Sequence, residues 1–164
     1  MEQFSSLSKD LTKKLGKEEK TKNGIFFTPK SIAVDMLKKC KKHNKIKRVL
    51  EPSCGSCQII SELDNEYGIE YIDGIEYNET IFTEIKGLEF KNKVNLINVD
   101  YLKFIPKEKY DLITGNPPYF VMLKKDVNKQ YHKYFNGRPN IFVLFMVKAM
   151  NELNPNGILS FVLP

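Results

Sequence analysis

The chain has 164 residues, 41% apolar and 28% charged, with a formal net charge of +6 and a pI near 9.1. That balance is ordinary for a soluble globular protein and suffices for one domain with a real core, while the basic excess leans towards a polyanionic partner. No apolar run is long enough to span a bilayer, the polar N-terminus is not a signal peptide, and three cysteines make no secretory disulfide framework, so no membrane partner and a cytoplasmic location are expected.

In chain order, Ser5 or Ser6 is placed to cap a first helix in which Leu7, Leu11 and Leu15 recur on one face. Gly16 to Asn23 is polar and charged and reads as a mobile connector. Residues 1–23 are therefore expected to be an N-terminal helix and basic connector, and residues 24–164 the domain proper. In Gly24-Ile25-Phe26-Phe27-Thr28-Pro29, Thr28 is a helix cap with Pro29 at the first helical position. The following helix places Ile32, Ala33, Met36, Leu37 and Cys40 on one face. The basic stretch from Lys38 to Arg48 suits either a solvated helix end or phosphate contacts. Phe26 and Phe27 suit either the core or the wall of a ligand site.

Val49-Leu50-Glu51 reads as a short strand running into the turn Pro52-Ser53-Cys54-Gly55-Ser56-Cys57, and Ile59, Ile60 and Leu63 mark the next helix. A strand, a small-residue turn and a helix start let a ligand approach the backbone. The turn is neither Gly-x-Gly-x-x-Gly nor a lysine-bearing phosphate loop. Cys54-x-x-Cys57 lacks partners for a tetrahedral metal site, since only His43 and His132 are available and Cys40 is distant, so no metal is expected. A second strand, Tyr71 to Ile75, ends at Glu76, about 20 residues after the glycine turn, where such folds bind ribose hydroxyls; a surface carboxylate is the other reading. Asn78 to Lys86 is helical, with Ile81, Phe82 and Ile85 inward. Val94 to Val99 is a third strand, closed by Asp100-Tyr101.

The fourth strand, Tyr110 to Gly115, runs into Asn116-Pro117-Pro118-Tyr119. Consecutive prolines force the chain out of the sheet, making a stiff corner at a strand's carboxyl end, where open α/β sheets place their ligands. Carbonyl acceptors beside an aromatic ring suit a planar group bearing an NH2. Phe120 to Pro139 interleaves Lys124, Lys125, Lys129, Lys133 and Arg138 with Tyr131, Tyr134 and Phe135. Both a nucleic-acid contact and a lid helix with Val127, Tyr131 and Tyr134 inward fit that pattern. An apolar helix from Asn140 to Leu153, a stop at Asn154-Pro155-Asn156-Gly157 and a fifth strand, Ile158 to Leu163, complete an alternation that predicts a doubly wound, mainly parallel sheet.

From Gly24 to Pro164 these segments resemble the N6-adenine DNA methyltransferases that use S-adenosyl-L-methionine and carry their recognition region C-terminal to the catalytic motifs. Asn116-Pro117-Pro118-Tyr119 is similar to their catalytic motif, and Gly24-Ile25-Phe26-Phe27-Thr28-Pro29 to their N-terminal cofactor motif. Glu51-Pro52-Ser53-Cys54-Gly55 resembles the cofactor loop, Glu76-Tyr77 the ribose-binding acid and its neighbour, and Asp100-Tyr101 the adenine contact. Gly137 to Phe145 and Gly157 to Pro164 resemble the motifs that close the core. The resemblance implies a Rossmann-like methyltransferase domain lacking its last two strands, acting on a flipped adenine in double-stranded DNA in a restriction-modification or viral modification system. A second polypeptide carrying the recognition region is one way to complete it. Asn116 and Pro117 would orient the amino group, Tyr119 would stack on the base, and Thr28 would lie near the methionine carboxylate. Cys57 stands where the family has a second glycine, and its side chain is expected to narrow the approach to the methionine moiety. Transfer to RNA or to a protein glutamine, and an inert binding subunit, are the alternatives.

Overall fold

The computed structural model describes residues 4–40, 45–66 and 68–163. Its sheet has five parallel strands, β1 (Arg48–Glu51), β2 (Tyr71–Glu76), β3 (Val94–Asn98), β4 (Tyr110–Gly115) and β5 (Leu153–Phe161), in the order β3-β2-β1-β4-β5. Among the described residues six α-helices flank it: α1 (Ser6–Lys14), α2 (Lys17–Asn23), α3 (Lys30–Cys40), α4 (Gln58–Leu63), α5 (Glu79–Ile85) and α6 (Ile141–Glu152).

Alternation along each strand separates two cores. Val49, Ile72 and Leu112 face α1, α3, α4 and α5, whereas Leu50, Ile75 and Ile113 face α6 and Tyr101. Val49, Leu50, Ile72, Ile75, Leu112 and Ile113 are wholly buried, and each such aliphatic side chain contributes about 1.5–3 kcal/mol of burial. The connections β1-α4-β2-α5-β3 step outward along one face and β4-α6-β5 steps the other way on the opposite face. The chain thus reverses direction between β1 and β4, and a crevice opens at their carboxyl ends. The doubly wound reading therefore holds.

Several local expectations change. Gly16 to Asn23 is not a loose connector but α2, closed by Gly24 in the left-handed region at φ 60°, with Glu18 and Glu19 in its first turn and Lys20 and Lys22 in its last. Lys20 Nζ donates to Thr12 O, which fastens α2 to α1. Ser5 is the cap of α1, accepting from the Ser8 N–H. The third helix begins one residue later than expected, with Ala33 N–H donating to Pro29 O, and Ile32 points to solvent while Ala33, Leu37 and Cys40 are buried. Helix α6 ends at Glu152 and Leu153 already pairs with Tyr110. Residues 154–157 then bulge before Ile158 pairs with Leu112, because Pro155 has no N–H to give a regular ladder. Between Phe120 and Pro139 lie two short 3-10 segments, Lys124–Asp126 and Lys129–Tyr134. They bury Val127 and Tyr131 but leave Tyr134 exposed, so only part of the lid-helix reading holds. His132 Nε2 lies 3.0 Å from Val127 O, while His43 falls outside the described residues. Among the described residues no helix is long and apolar enough to cross a membrane.

Candidate active site

The glycine turn is built by two left-handed residues, Gly55 at φ 51° and Cys57 at φ 58°. Cys54 N–H donates to Ile75 O at 2.8 Å, which pins the turn to β2, and Cys57 N–H donates to Cys54 O at 2.7 Å. A glycine would take the Cys57 backbone geometry freely; a side chain there costs about 1 kcal/mol. The Cys57 side chain is wholly buried in the core beneath the turn and lines no part of the cavity above it. The expected narrowing of the methionine approach is therefore overturned: the left-handed backbone directs this side chain into the core. A hydrogen bond with Cys57 and burial push the Cys54 thiol up, and both cysteines are free and buried.

Glu76 ends β2 with its carboxylate in a cradle of backbone donors: Gly55 N–H at 2.9 Å to Oε2 and Asn78 N–H at 2.7 Å to Oε1. Burial pushes its pKa up to about 6, against the lowering effect of the N–H groups of Asn78, Gly55 and Tyr77. Glu51 is also buried, which raises its pKa well above the usual range, and its Oε2 has no hydrogen-bond partner among the described residues.

After β3, Asp100 caps a 3-10 turn, Tyr101–Lys103, accepting from the Leu102 N–H at 3.0 Å. Tyr101 is held from α6: its hydroxyl donates to Glu152 Oε2 at 2.7 Å, and Lys148 Nζ bonds both Glu152 Oε1 and Phe104 O. Burial raises the Tyr101 phenol, so it remains a neutral donor.

The proline corner meets the Gly24–Pro29 segment. Asn116 Nδ2 donates to Phe26 O at 2.9 Å, Tyr119 N–H to Gly24 O at 3.3 Å, and Ser53 Oγ to Asn116 O at 3.0 Å. The Tyr119 hydroxyl contacts both Asn116 Oδ1 and Val162 O. Its one proton serves either oxygen, so Asn116 Oδ1 can accept from another donor while the phenol rests on Val162.

These pieces wall a cavity of about 270 Å³ at the β1/β4 crevice. Of the residues expected from the sequence, Phe26, Phe27, Pro52, Ser53, Gly55, Glu76, Tyr77, Asp100, Tyr101, Asn116 and Pro118 line it. Thr28 and Glu51 instead line an adjoining recess of about 20 Å³, shared with Ser53, Gly55 and Asn116. Pro117 and Tyr119 line neither: Pro117 is buried, and the Tyr119 ring lies 5.8 Å from that of Phe26 and 6.2 Å from that of Phe142. The sequence reading missed Asn78, Leu102, Phe120, Met122, Ile141 and Phe145 as cavity residues. The last five carry only an apolar signal, indistinguishable from core; Asn78 is legible as a helix cap but not as a wall. A larger cavity of about 500 Å³ lies at the opposite end of the strands, beside Lys47, Leu63 and Ile69, and holds none of the expected site residues.

Residues 13–164 match the Eco57I restriction-modification methylase family. The chain belongs to that family. Its similar relatives include the modification methylase CviBIII of Paramecium bursaria Chlorella virus NC1A, 34% identical over all of this chain and 44% of that protein. Another is the type II methyltransferase M.AccI of Acinetobacter calcoaceticus, 31% identical over 98% of this chain and 31% of that protein. The chain thus spans less than half the length of these relatives. Among solved structures, a class I S-adenosylmethionine-dependent methyltransferase from Listeria monocytogenes shares the fold at a TM-score of 0.64 and 20% identity, over 96% of this chain and 53% of that one.

Proposed function

We propose that this chain is the cofactor-binding and catalytic part of an enzyme that methylates the exocyclic N6 amino group of adenine in double-stranded DNA, with S-adenosyl-L-methionine as donor. The observation that carries the reading is that one cavity is walled both by the glycine turn with Glu76 and by Asn116. The names of the relatives support DNA modification, and the net charge of +6 suits a polyanionic substrate. With the chain covering 44% or less of those relatives, sequence recognition is assigned to protein outside these residues, in a further segment or a second polypeptide.

The residues fit the cofactor. Glu76 offers a buried carboxylate for ribose hydroxyls, and the orphaned Glu51 Oε2 beside the small recess is an acceptor suited to an ammonium group. Thr28 shares that recess and would donate to a carboxylate, and the exposed rings of Phe26 and Tyr77 flank the mouth. S-adenosylmethionine, when bound, supplies a methyl group on a sulfonium, an electrophile that needs no metal.

The remaining chemistry belongs to the protein. An exocyclic amino group is a poor nucleophile, because its lone pair is conjugated into the ring. Asn116 Oδ1 and the Pro117 carbonyl would accept its two N–H groups and favour a pyramidal nitrogen. These bonds strengthen as positive charge develops on that nitrogen, so they lower the barrier rather than merely bind substrate. Before a base arrives the Tyr119 hydroxyl holds the Asn116 carboxamide, and it rests on Val162 O once Oδ1 takes the amino group; its ring, which lines neither cavity here, would stack on a base turned out of the duplex by turning toward the crevice. Incubation of the enzyme with labelled cofactor and duplex DNA should yield N6-methyladenine on nucleoside mass spectrometry. Label appearing only in cytosine, RNA or protein would overturn the assignment.

A further inference from the structure

Residues 5–23 contribute little to the chemistry above, yet they touch the Glu76 cradle from two sides. Leu11 and Leu15 of α1 are buried in the core that contains Cys57, and Ser8 Oγ lies 2.7 Å from Ser56 Oγ, with both serines buried. Ser56 directly follows Gly55, whose N–H donates to Glu76. From α2, Glu19 Oε1 accepts from Asn78 Nδ2 at 2.9 Å. Asn78 in turn caps α5, accepting from the Ile81 N–H at 3.0 Å, and gives its own N–H to Glu76 Oε1. The Gly55 and Asn78 donors of the Glu76 carboxylate are therefore held, one residue or one side chain away, by the same N-terminal helix pair. That pair is itself locked by Lys20 on Thr12 O and anchored to α5 by the Lys14–Glu84 ion pair.

We propose that Glu19 is a positioning residue for the cofactor ribose: it orients Asn78, Asn78 orients the Glu76 carboxylate, and Ser8 braces the opposite side of the cradle. The inference rests on the assignment of Glu76 to the ribose. Its consequence is that residues 5–23 belong to the cofactor site rather than to a separate leader. The bond acts on the ribose acceptor, because the hydrogen bonds of Asn78 among the described residues reach Glu76, Glu19 and its own helix, and neither the glycine turn nor the Asn116 corner.

The test uses calorimetric titration of S-adenosylhomocysteine and its 2′,3′-dideoxy analogue into the full chain, its Glu19→Ala variant and its Glu19→Gln variant, with thermal melting of each ligand-free protein. Glu19→Ala should weaken S-adenosylhomocysteine binding about fivefold while leaving the dideoxy analogue unaffected. Glu19→Gln keeps an acceptor oxygen for Asn78 and should bind both ligands as the parent does. Equal weakening of both ligands, or lowered melting with ligand discrimination intact, would give Glu19 a purely structural role and overturn the proposal; unchanged binding would do the same. If the parent chain itself fails to discriminate the two ligands, the ribose assignment of Glu76 falls and takes this inference with it, whereas loss confined to the variants' behaviour leaves that assignment standing.

Discussion

Acidification should weaken cofactor binding and favour native stability through a single carboxyl group. Burial pushes the Glu76 carboxyl up to about 6 in the fold, from 4.5 for an unburied glutamate. The difference corresponds to about 2 kcal/mol favouring the protonated form in the fold. Because the folded value is raised, the native state binds the proton more tightly than the unfolded chain. Glu76 therefore favours stability below about pH 4.5 and loses that contribution as pH rises through about 6. Ribose hydroxyls, by contrast, need the ionised carboxylate as acceptor. Affinity for S-adenosylhomocysteine should then be level above about pH 7 and fall about tenfold by about pH 5, with release of up to one proton per ligand bound. Calorimetry in buffers of different ionisation enthalpy reads both the affinity and the proton. Glu76→Gln should bind weakly at every pH and show no such slope, because the amide does not titrate and sets an NH2 against either the Gly55 or the Asn78 N–H, where the carboxylate had accepted. A flat profile in the parent, or the same slope in Glu76→Gln, would refute the role given to this carboxylate.

Asn116→Ala, in an active enzyme containing this chain, should lower methyl transfer by about 100-fold or more while S-adenosylhomocysteine affinity stays within about twofold, as single-turnover kinetics and calorimetry would show. Gly24→Ala places a methyl 2.4 Å from Tyr119 N at φ +60°, so the proline corner must move. Its melting temperature should fall by an amount reflecting at least about 1 kcal/mol, with transfer lost beyond what the unfolded fraction explains. Gly74→Ala would set a Cβ 2.6 Å from Ile60 Cδ1 and 2.8 Å from Leu96 Cδ2, and denaturant unfolding should show a loss of about 1–3 kcal/mol.

Strands, helices and the two turns of the site were legible because each is specified within a few residues. Alternating apolar positions, the small-residue turn after Glu51 and the prolines after Asn116 carry their own geometry, and the order of these pieces predicts the reversal between β1 and β4. Helix α2 was not legible, since it is polar on every side and is held by Lys20 and Glu19 bonds to distant partners. Nor was the fate of Cys57: its residue type said only that a side chain replaces a glycine, and the left-handed backbone decided that it points into the core.

By itself, then, the sequence determined the family, the parallel α/β plan and most of the residues that meet at the crevice. Tertiary structure alone decided how they meet: Phe26 O on Asn116 Nδ2, Ser53 on Asn116 O, Gly55 on Glu76, and the turning of Tyr119 away from the cavity wall. Hydrogen bonds joining residues so far apart in the chain leave no periodic trace, because any side chain of similar polarity reads alike until the sheet brings its partner within reach.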